Sequence, residues 1–163
     1  MSGPPTGGVA LLGIDLGERR IGLALAPHGA LTARPLATVR RGSDLAADAA
    51  TVARIVAEHG VGELVVGLPL EASGSEGPMA AAARAWAAEL AIRLGIPATL
   101  RDERLSSHVA ESRLGPMPRG RSGGPPSRVQ RDRYRARVDR EAAAIILQDE
   151  LDARRAGGET APR

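Results

Sequence analysis

The fold is decided by residues 9–26, VALLGIDLGERRIGLALA, in which two apolar runs flank a short polar turn. The first run ends in Asp15, the turn contains Gly17, and the second run extends from Ile21 to Ala26. Apolar runs of this length on either side of a glycine-containing turn predict a β-hairpin. Asp15 therefore stands at the end of a buried strand, where a central sheet meets solvent.

The rest of the chain alternates short strands with helices. The expected elements are, in order, a strand over 31–39, a helix over 45–59, a strand over 63–67, a helix over 79–94, a strand over 98–102, and helices over 106–114 and 131–154. This order predicts an α/β fold whose mixed sheet begins with antiparallel strands and continues through helical crossovers. Ligands of such sheets bind beyond the carboxyl ends of the parallel strands.

The length of 163 residues, with 43% hydrophobic and 25% charged residues, is typical of one domain. We expect this domain to cover residues 9–154, with disordered arms at 1–8 and 155–163. A loop over 115–130 is rich in Gly, Pro and Arg, and we expect it to be mobile. Of the two aromatic residues, Trp86 is expected in the core, and Tyr134, between two arginines, is the better candidate for stacking on a base.

Composition excludes several classes of protein. The absence of Cys excludes disulfides, thiolate nucleophiles and Cys-bound metals, and the three His residues are too scattered for a zinc motif. There is no apolar run of 18 residues, and the first residues lack the order of a signal peptide. We therefore expect a cytoplasmic protein with no membrane partner.

Charge is concentrated in one region. All 22 basic residues are Arg, and residues 113–140 hold nine of them against two acids. Such a local excess predicts contact with a polyanion, although a solvated charged face is the alternative. The candidate nucleic-acid-binding residues are Arg119, Arg121 and Arg128 in the loop and Arg131, Arg133 and Arg135 at the start of the last helix.

Three acids are candidates for a metal site: Asp15, Glu103 after the strand over 98–102, and Asp139 on the last helix. Each alone has a simpler interpretation, namely a turn residue, a surface ion pair and a helix-dipole contact. Together, three carboxylates without His or Cys suit hard divalent cations such as Mg²⁺ or Mn²⁺. Two such ions about 4 Å apart can bind the attacking and leaving oxygens of a phosphodiester displacement.

Four motifs in this order resemble the YqgF/RuvX family, over roughly residues 9–152. They are GIDLGERRIG at 13–22, VGLPL at 66–70 with GSEGP at 74–78, DERLSS at 102–107, and VD at 138–139 leading into AAAIILQ at 142–148. The resemblance implies an RNase H-like fold, a five-stranded mixed sheet with helices packed on both faces. It also implies that Asp15, Glu103 and Asp139 are the catalytic, metal-binding acids.

The function that the resemblance implies is a metal-dependent endonuclease acting on structured RNA, in 5′-end processing of pre-16S ribosomal RNA. The expected partners are pre-rRNA or branched DNA and the assembling small ribosomal subunit, and the expected state is a monomer or weak dimer. Alternatives are a Holliday-junction resolvase, a non-catalytic nucleic-acid-binding assembly factor, and a sugar-kinase or actin-like ATPase, for which the chain has room for only one of two domains. The loop over 68–78 is either a phosphate cradle or a connector.

Overall fold

The computed structural model describes residues 8–159, which form one five-stranded sheet and four helices. The elements are β1 (Ala10–Leu16), β2 (Arg20–Ala26), β3 (Arg34–Arg40), α1 (Leu45–His59), β4 (Val61–Leu68), α2 (Pro78–Leu94), β5 (Ala98–Asp102), α3 (Ser106–Leu114) and α4 (Arg128–Glu159). Within the described part of the chain, no helix is long and apolar enough to cross a membrane.

The sheet has the order β3-β2-β1-β4-β5, so β1 is its central strand. β1, β2 and β3 pair antiparallel, whereas β4 pairs parallel with both β1 and β5. The predicted hairpin and the predicted mixed sheet are therefore confirmed. The carboxyl ends of β1, β4 and β5 meet at one edge.

Helices cover both faces of the sheet because its strands alternate apolar side chains between two cores. On one face, Leu12 and Ile14 pack with α1 and α2, and Trp86 belongs to this core as expected. On the other face, Leu11 packs against α4 through Ala143 and Leu147. A third, smaller core joins α3 to α4.

A buried acid fixes the junction between β3 and α1. The Asp48 carboxylate accepts hydrogen bonds from Arg41 Nε (2.8 Å), the Gly42 backbone N–H (2.7 Å) and Trp86 Nε1 (3.2 Å). These contacts satisfy a carboxylate that is fully buried. The α1 N-terminus is capped by Asp44, whose side chain accepts a hydrogen bond from the Ala47 N–H.

The last helix is longer than predicted at both ends. It begins at Arg128 rather than near residue 131, because Ser127 and Gln130 form a reciprocal capping box: the Gln130 N–H donates to Ser127 Oγ and the Ser127 N–H donates to Gln130 Oε1. It continues past the expected domain end at residue 154 to Glu159, and Arg154 ties this part to Glu63 of β4. The expected arm at 1–8 and the end of the expected tail, 160–163, lie outside the described residues, apart from Gly8.

Smaller differences concern two other segments. β3 begins at Arg34 rather than at residue 31, because Gln148 of α4 binds the backbone before it: the Ala33 N–H donates to Gln148 Oε1, and Gln148 Nε2 donates to the Leu31 carbonyl oxygen. The loop before α4 contains a turn in which the Gly123 N–H donates to the Gly120 carbonyl. Its mobility stays a prediction.

Candidate active site

Asp15 lies near the carboxyl end of the central strand, on the sheet face that α4 covers. It follows Ile14, whose side chain packs on the opposite face, and its register partner on β2 is Gly22. On the other side of β1, Val66 pairs with Ile14, so Gly67 is the β4 residue beside Asp15. Asp15 is therefore flanked by two glycines, which leave room for other side chains above it.

Glu103 follows β5 and fills the space above Gly67. A Cβ built on Gly67 would lie 2.1 Å from Glu103 Oε2, so only glycine leaves the carboxyl this position. Glu103 Oε2 is buried and has no hydrogen-bond partner among the described residues. Burial, and then the adjacent charge of Asp15, raise the pKa of the Glu103 carboxyl well above its ordinary value.

The surface ion pair expected as an alternative for Glu103 is made by its neighbours instead. Arg104 Nε lies 2.9 Å from Asp102 Oδ2, and Arg104 N donates to Asp102 Oδ1. Glu103 is thus free of arginine partners within the described chain and turns toward Asp15, whose own pKa is raised mainly by burial. Two carboxyl groups in contact, both with raised pKa values, form the centre of the candidate site.

Asp139 lies above the Asp15–Gly22 pair, on α4. A Cβ on Gly22 would be 2.0 Å from the Asp139 carbonyl oxygen, which shows how closely α4 approaches β2 at this point. The negative charge of Asp139 contributes to the raised pKa of Asp15. Because α4 begins at Arg128, Asp139 lies in its interior, and the interpretation as an N-terminal dipole contact is wrong.

The Asp139 carboxylate is held by an arginine that the sequence analysis did not single out. Arg20 Nε donates to Asp139 Oδ2 at 2.6 Å, and both side chains are about three-quarters buried, with exposed fractions of 28% and 23%. No local signal identifies Arg20, since its partner is 119 residues away in the chain. The only sequence indication is its place in the turn that follows Asp15.

The site is thus a pair of acids in contact, with a third acid close by. Among the described residues, no three His, Asp or Glu side chains form a ready metal-binding group. Asp15 and Glu103 nevertheless fit a divalent cation, since a buried carboxylate oxygen without a partner is the kind of atom that such an ion satisfies. Asp139 could join them if its carboxylate turned from Arg20.

A cavity of about 510 Å³ opens beside Glu103. Apolar side chains form much of its lining, including Leu105, Val109 and Ile145. Asp102 and, on α4, Asp149 contribute two further acids. Partial burial raises the pKa of Asp149. Leu70 and Ala72 from the loop over 68–78 complete the wall, so this loop borders the site.

The six arginines predicted to bind nucleic acid do not form one cluster. Arg119 and Arg131 donate to carbonyl groups of the loop over 115–127, on Gly123 and Pro126. Arg135 is exposed and lies one helical turn before Asp139, on the same side of α4. The other three are exposed Arg121 in the loop, and Arg128 and Arg133, which line a second cavity near the start of α4.

Tyr134 is held by the loop rather than presented freely to solvent. Its hydroxyl donates to the Gly115 carbonyl oxygen at 2.7 Å, and its half-buried ring packs against the core between α3 and α4. These contacts tie the loop to α4.

Comparisons with known proteins concern the family and the fold of this chain. The sequence model of the family RuvX, described as Holliday junction resolvase, matches residues 9–153. A protein named "Putative pre-16S rRNA nuclease" from Anaeromyxobacter sp. (strain Fw109-5) is 52% identical over 145 residues, covering 89% of this chain and 98% of that protein. A protein of the same name from Myxococcus xanthus (strain DK1622) is 44% identical over 144 residues, covering 88% of each.

Among solved structures, Thermus thermophilus RuvC has a TM-score of 0.51 and 18% sequence identity, covering 90% of this chain and 96% of that chain. At this identity the likeness concerns the fold alone. It confirms the predicted RNase H-like fold, with a mixed five-stranded sheet and helices on both faces.

Proposed function

This chain belongs to the RuvX family and is a nuclease, and from this premise we propose that it is a metal-dependent endonuclease that cleaves structured RNA. The observation that carries the proposal is the contact between Asp15 and Glu103, in which a buried carboxylate oxygen lacks a partner. Two acids in contact at the carboxyl ends of parallel strands suit a cation that activates water for attack on phosphorus.

We assign the metal-binding and catalytic roles to Asp15, Glu103 and Asp139. Asp15 and Glu103 would hold a divalent ion, Mg²⁺ or Mn²⁺, because their oxygens already face each other in a buried position. When bound, such an ion lowers the pKa of water and stabilises the charge that develops on the phosphate. Asp139 would complete the ligand set after exchanging Arg20 for the ion.

The chain's own residues supply the rest of the chemistry. Ion binding requires both Asp15 and Glu103 to lose their protons, so affinity for the ion should increase with pH. Arg20, released from Asp139, is close enough to the acids to contact a phosphate oxygen with its planar guanidinium. Arg135, one turn before Asp139, can hold the neighbouring phosphate.

The substrate we propose is pre-16S ribosomal RNA, processed near its 5′ end on the assembling small ribosomal subunit in the cytoplasm. Support comes from the name shared by the two curated relatives, which match this chain over nearly all of their length. The arginines of the loop and of α4 suit the phosphate backbone of such a substrate.

One experiment tests this function directly. The pure protein is incubated with a pre-16S RNA fragment and with a four-way DNA junction, with Mg²⁺, with Mn²⁺ and with chelator. We expect cleavage of the RNA with the ions only. Asp15→Asn should abolish cleavage while leaving RNA affinity nearly unchanged, and Asp152→Asn, at the exposed far end of α4, is the matched control. Binding without cleavage by the unmodified protein under every condition would favour the non-catalytic assembly factor instead.

A second candidate function is resolution of branched DNA, favoured by the description of the family. Symmetric cutting of a four-way junction needs two active sites related by a two-fold axis. The junction arm of the same experiment, together with the mass of the protein in solution, separates the two. A monomer that cuts only the RNA excludes resolution.

A further inference from the structure

A second cavity, of about 680 Å³, shares no lining residue with the Glu103 cavity and borders the site through Arg20, which is bound to Asp139. Its lining comes from three separate segments: the β1–β2 turn, the end of β3 and the first turns of α4. We call it the basic groove, because it is lined by six arginines and two acids. The arginines are Arg19, Arg20, Arg40, Arg41, Arg128 and Arg133, and the acids are Glu18 and Asp132.

Two of these arginines already donate hydrogen bonds to acceptors within the protein. Arg41 donates to the buried Asp48 carboxylate and to the Gly17 carbonyl oxygen at 2.9 Å, and so fixes the β1–β2 turn against β3. Arg20 donates to Asp139. These contacts shape the groove and connect its inner end to the candidate metal site.

The remaining arginines are available for a ligand. The guanidinium groups of Arg19, Arg40 and Arg133 are exposed and have no hydrogen bond or ion pair with any other residue of the described chain. Arg128 is 88% exposed, and its nearest carboxylate, on Asp132, is 4.0 Å away. The groove therefore holds more positive charge than its own acids can neutralise.

The positions of two strand residues strengthen this conclusion. Arg20 and Arg40 are direct partners in the β2–β3 register, and like charges directly opposite each other destabilise a sheet. The charge of Arg20 is compensated by Asp139, whereas that of Arg40 is not. An external anion that binds Arg40 relieves this repulsion.

We infer that the basic groove binds the sugar–phosphate backbone of a double-helical arm of the substrate and thereby directs the strand to Asp15 and Glu103. The inference rests on the proposed function for the identity of the ligand. Arginines contributed by three segments suit successive phosphates better than one free anion, and the guanidinium fork matches phosphate oxygens. The Arg20–Asp139 pair places the groove directly beside the acids.

The test measures equilibrium binding without divalent ions, so that no cleavage occurs, over a range of salt concentrations. The ligands are a double-helical RNA from the 16S precursor and a DNA duplex of the same sequence. Each phosphate contact contributes about 0.9 to the log–log slope for a DNA duplex. Replacing Arg19, Arg40 and Arg133 with alanine should reduce the slope by about 2 to 3 and weaken binding at least tenfold.

The control variant removes the same charge elsewhere. Arg54, Arg84 and Arg93 lie on α1 and α2, which cover the opposite face of the sheet, and their replacement with alanine should change the slope by less than one contact. A third variant, Arg119→Ala with Arg121→Ala, measures the contribution of the loop. Thermal unfolding confirms that each variant is folded.

The outcomes are distinct. Any of three results would overturn the inference. The first is a groove variant with an unchanged slope. The second is an equal loss in the control variant, which would indicate a net-charge effect, and the third is no binding of either duplex by the unmodified protein, which would indicate a different partner such as an acidic protein. A reduced slope on RNA alone assigns the groove to A-form helices, and on both duplexes to any helical backbone. A reduced slope with no cleavage of any substrate leaves the groove in place and refutes only the nuclease proposal.

Discussion

Glu103 carries a stability cost that a conservative substitution should remove. Its carboxyl is largely buried next to Asp15, so in the absence of metal the charged form is strongly disfavoured. Glu103→Gln should therefore abolish cleavage and yet raise the melting temperature of the metal-free protein, by about 2–4 °C for each kcal/mol gained. Glu111→Gln, on the exposed side of α3, is the matched control and should have little effect. A lower melting temperature for Glu103→Gln would show that the ionised form is stabilised by contacts of its own.

The same two acids predict an unusual dependence of stability on pH. Burial raises the pKa of both Asp15 and Glu103 in the folded state above the unfolded values, about 4. Between the unfolded and folded pKa values the folded protein binds more protons, so the free energy of unfolding falls as pH rises. For each such proton the slope is about −1.4 kcal/mol per pH unit.

Denaturant unfolding of the chelator-treated protein between roughly pH 6 and pH 8 measures this slope, because carboxyls of ordinary pKa are already ionised there. The slope should be weaker in Glu103→Gln than in the unmodified protein. Equal slopes in the two proteins would assign the effect to other groups.

At the residue scale the sequence predicts where two of the acids lie. The positions of Asp15 at the end of an apolar run and of Glu103 directly after the strand over 98–102 indicate that they meet at one sheet edge, and the structure brings them into contact. The part that local pattern cannot reveal is pairing across the chain. The Arg20–Asp139 pair has no signal in the neighbouring residues, and neither does the hydrogen bond that Trp86 donates to Asp48.

At the scale of the elements, the contact of α4 with the sheet depends on two glycines, Gly22 and Gly67, which have different groups packed against them. Gly22 faces the Asp139 carbonyl oxygen, which is part of a rigid helix, whereas Gly67 faces only side-chain ends, those of Glu103 and Ile146. Gly22→Ala should destabilise the protein by roughly 2 kcal/mol or more, since α4 must shift. Gly67→Ala should displace Glu103, abolishing cleavage with a smaller loss of stability.

Chemical denaturation and the cleavage assay together check this pair of variants. Gly124→Ala provides the control, because nothing lies within 4 Å of the added methyl group. Similar losses of stability for Gly22→Ala and Gly67→Ala would mean that both positions serve only packing.

The Arg20–Asp139 pair joins β2 to α4, and a double-mutant cycle measures its strength. Partly buried, charge-assisted hydrogen bonds contribute more than exposed pairs, so Arg20→Ala, Asp139→Asn and the double variant should give a coupling of about 1 kcal/mol in the metal-free protein. Unfolding by denaturant supplies the four free energies. Arg93 and Glu89, an exposed pair on α2, should give a coupling near zero.

The order and type of the elements were predictable because apolar period and turn residues act locally. The end of α1 at Gly60 and the strand over 98–102 are examples. The predicted element boundaries were wrong where another local structure competes. The Ser127–Gln130 capping box, for example, begins α4 at Arg128 rather than at residue 131. Because the preceding segment is rich in Gly, Pro and Arg, its composition predicts a loop that continues past the capping box.

For the whole molecule, a bound ion should stabilise the fold. An ion that binds only the folded state raises the free energy of unfolding by about 2.7 kcal/mol at a hundredfold excess over its dissociation constant. Titration with Mg²⁺ or Mn²⁺ should therefore raise the melting temperature of the unmodified protein, and more at pH 8 than at pH 6. Asp15→Asn should show little of this rise, and a rise equal to that of the unmodified protein would place the bound ion elsewhere.

Helix α4 carries Asp139 and two arginines of the basic groove, Arg128 and Arg133, and so it fixes the distance between them. A helix rises 1.5 Å per residue, which separates Arg133 from Asp139 by about 9 Å along the axis, or roughly three base-pair steps of a duplex. The number of residues between Arg133 and Asp139 therefore sets the distance between the phosphates bound in the groove and the bond that is cleaved. A one-residue insertion between Arg133 and Asp139 would turn Arg128 and Arg133 by about 100° about the helix axis relative to Asp139, while the groove arginines on β2, β3 and the β1–β2 turn stay in place. The position of cleavage should therefore change before binding is lost.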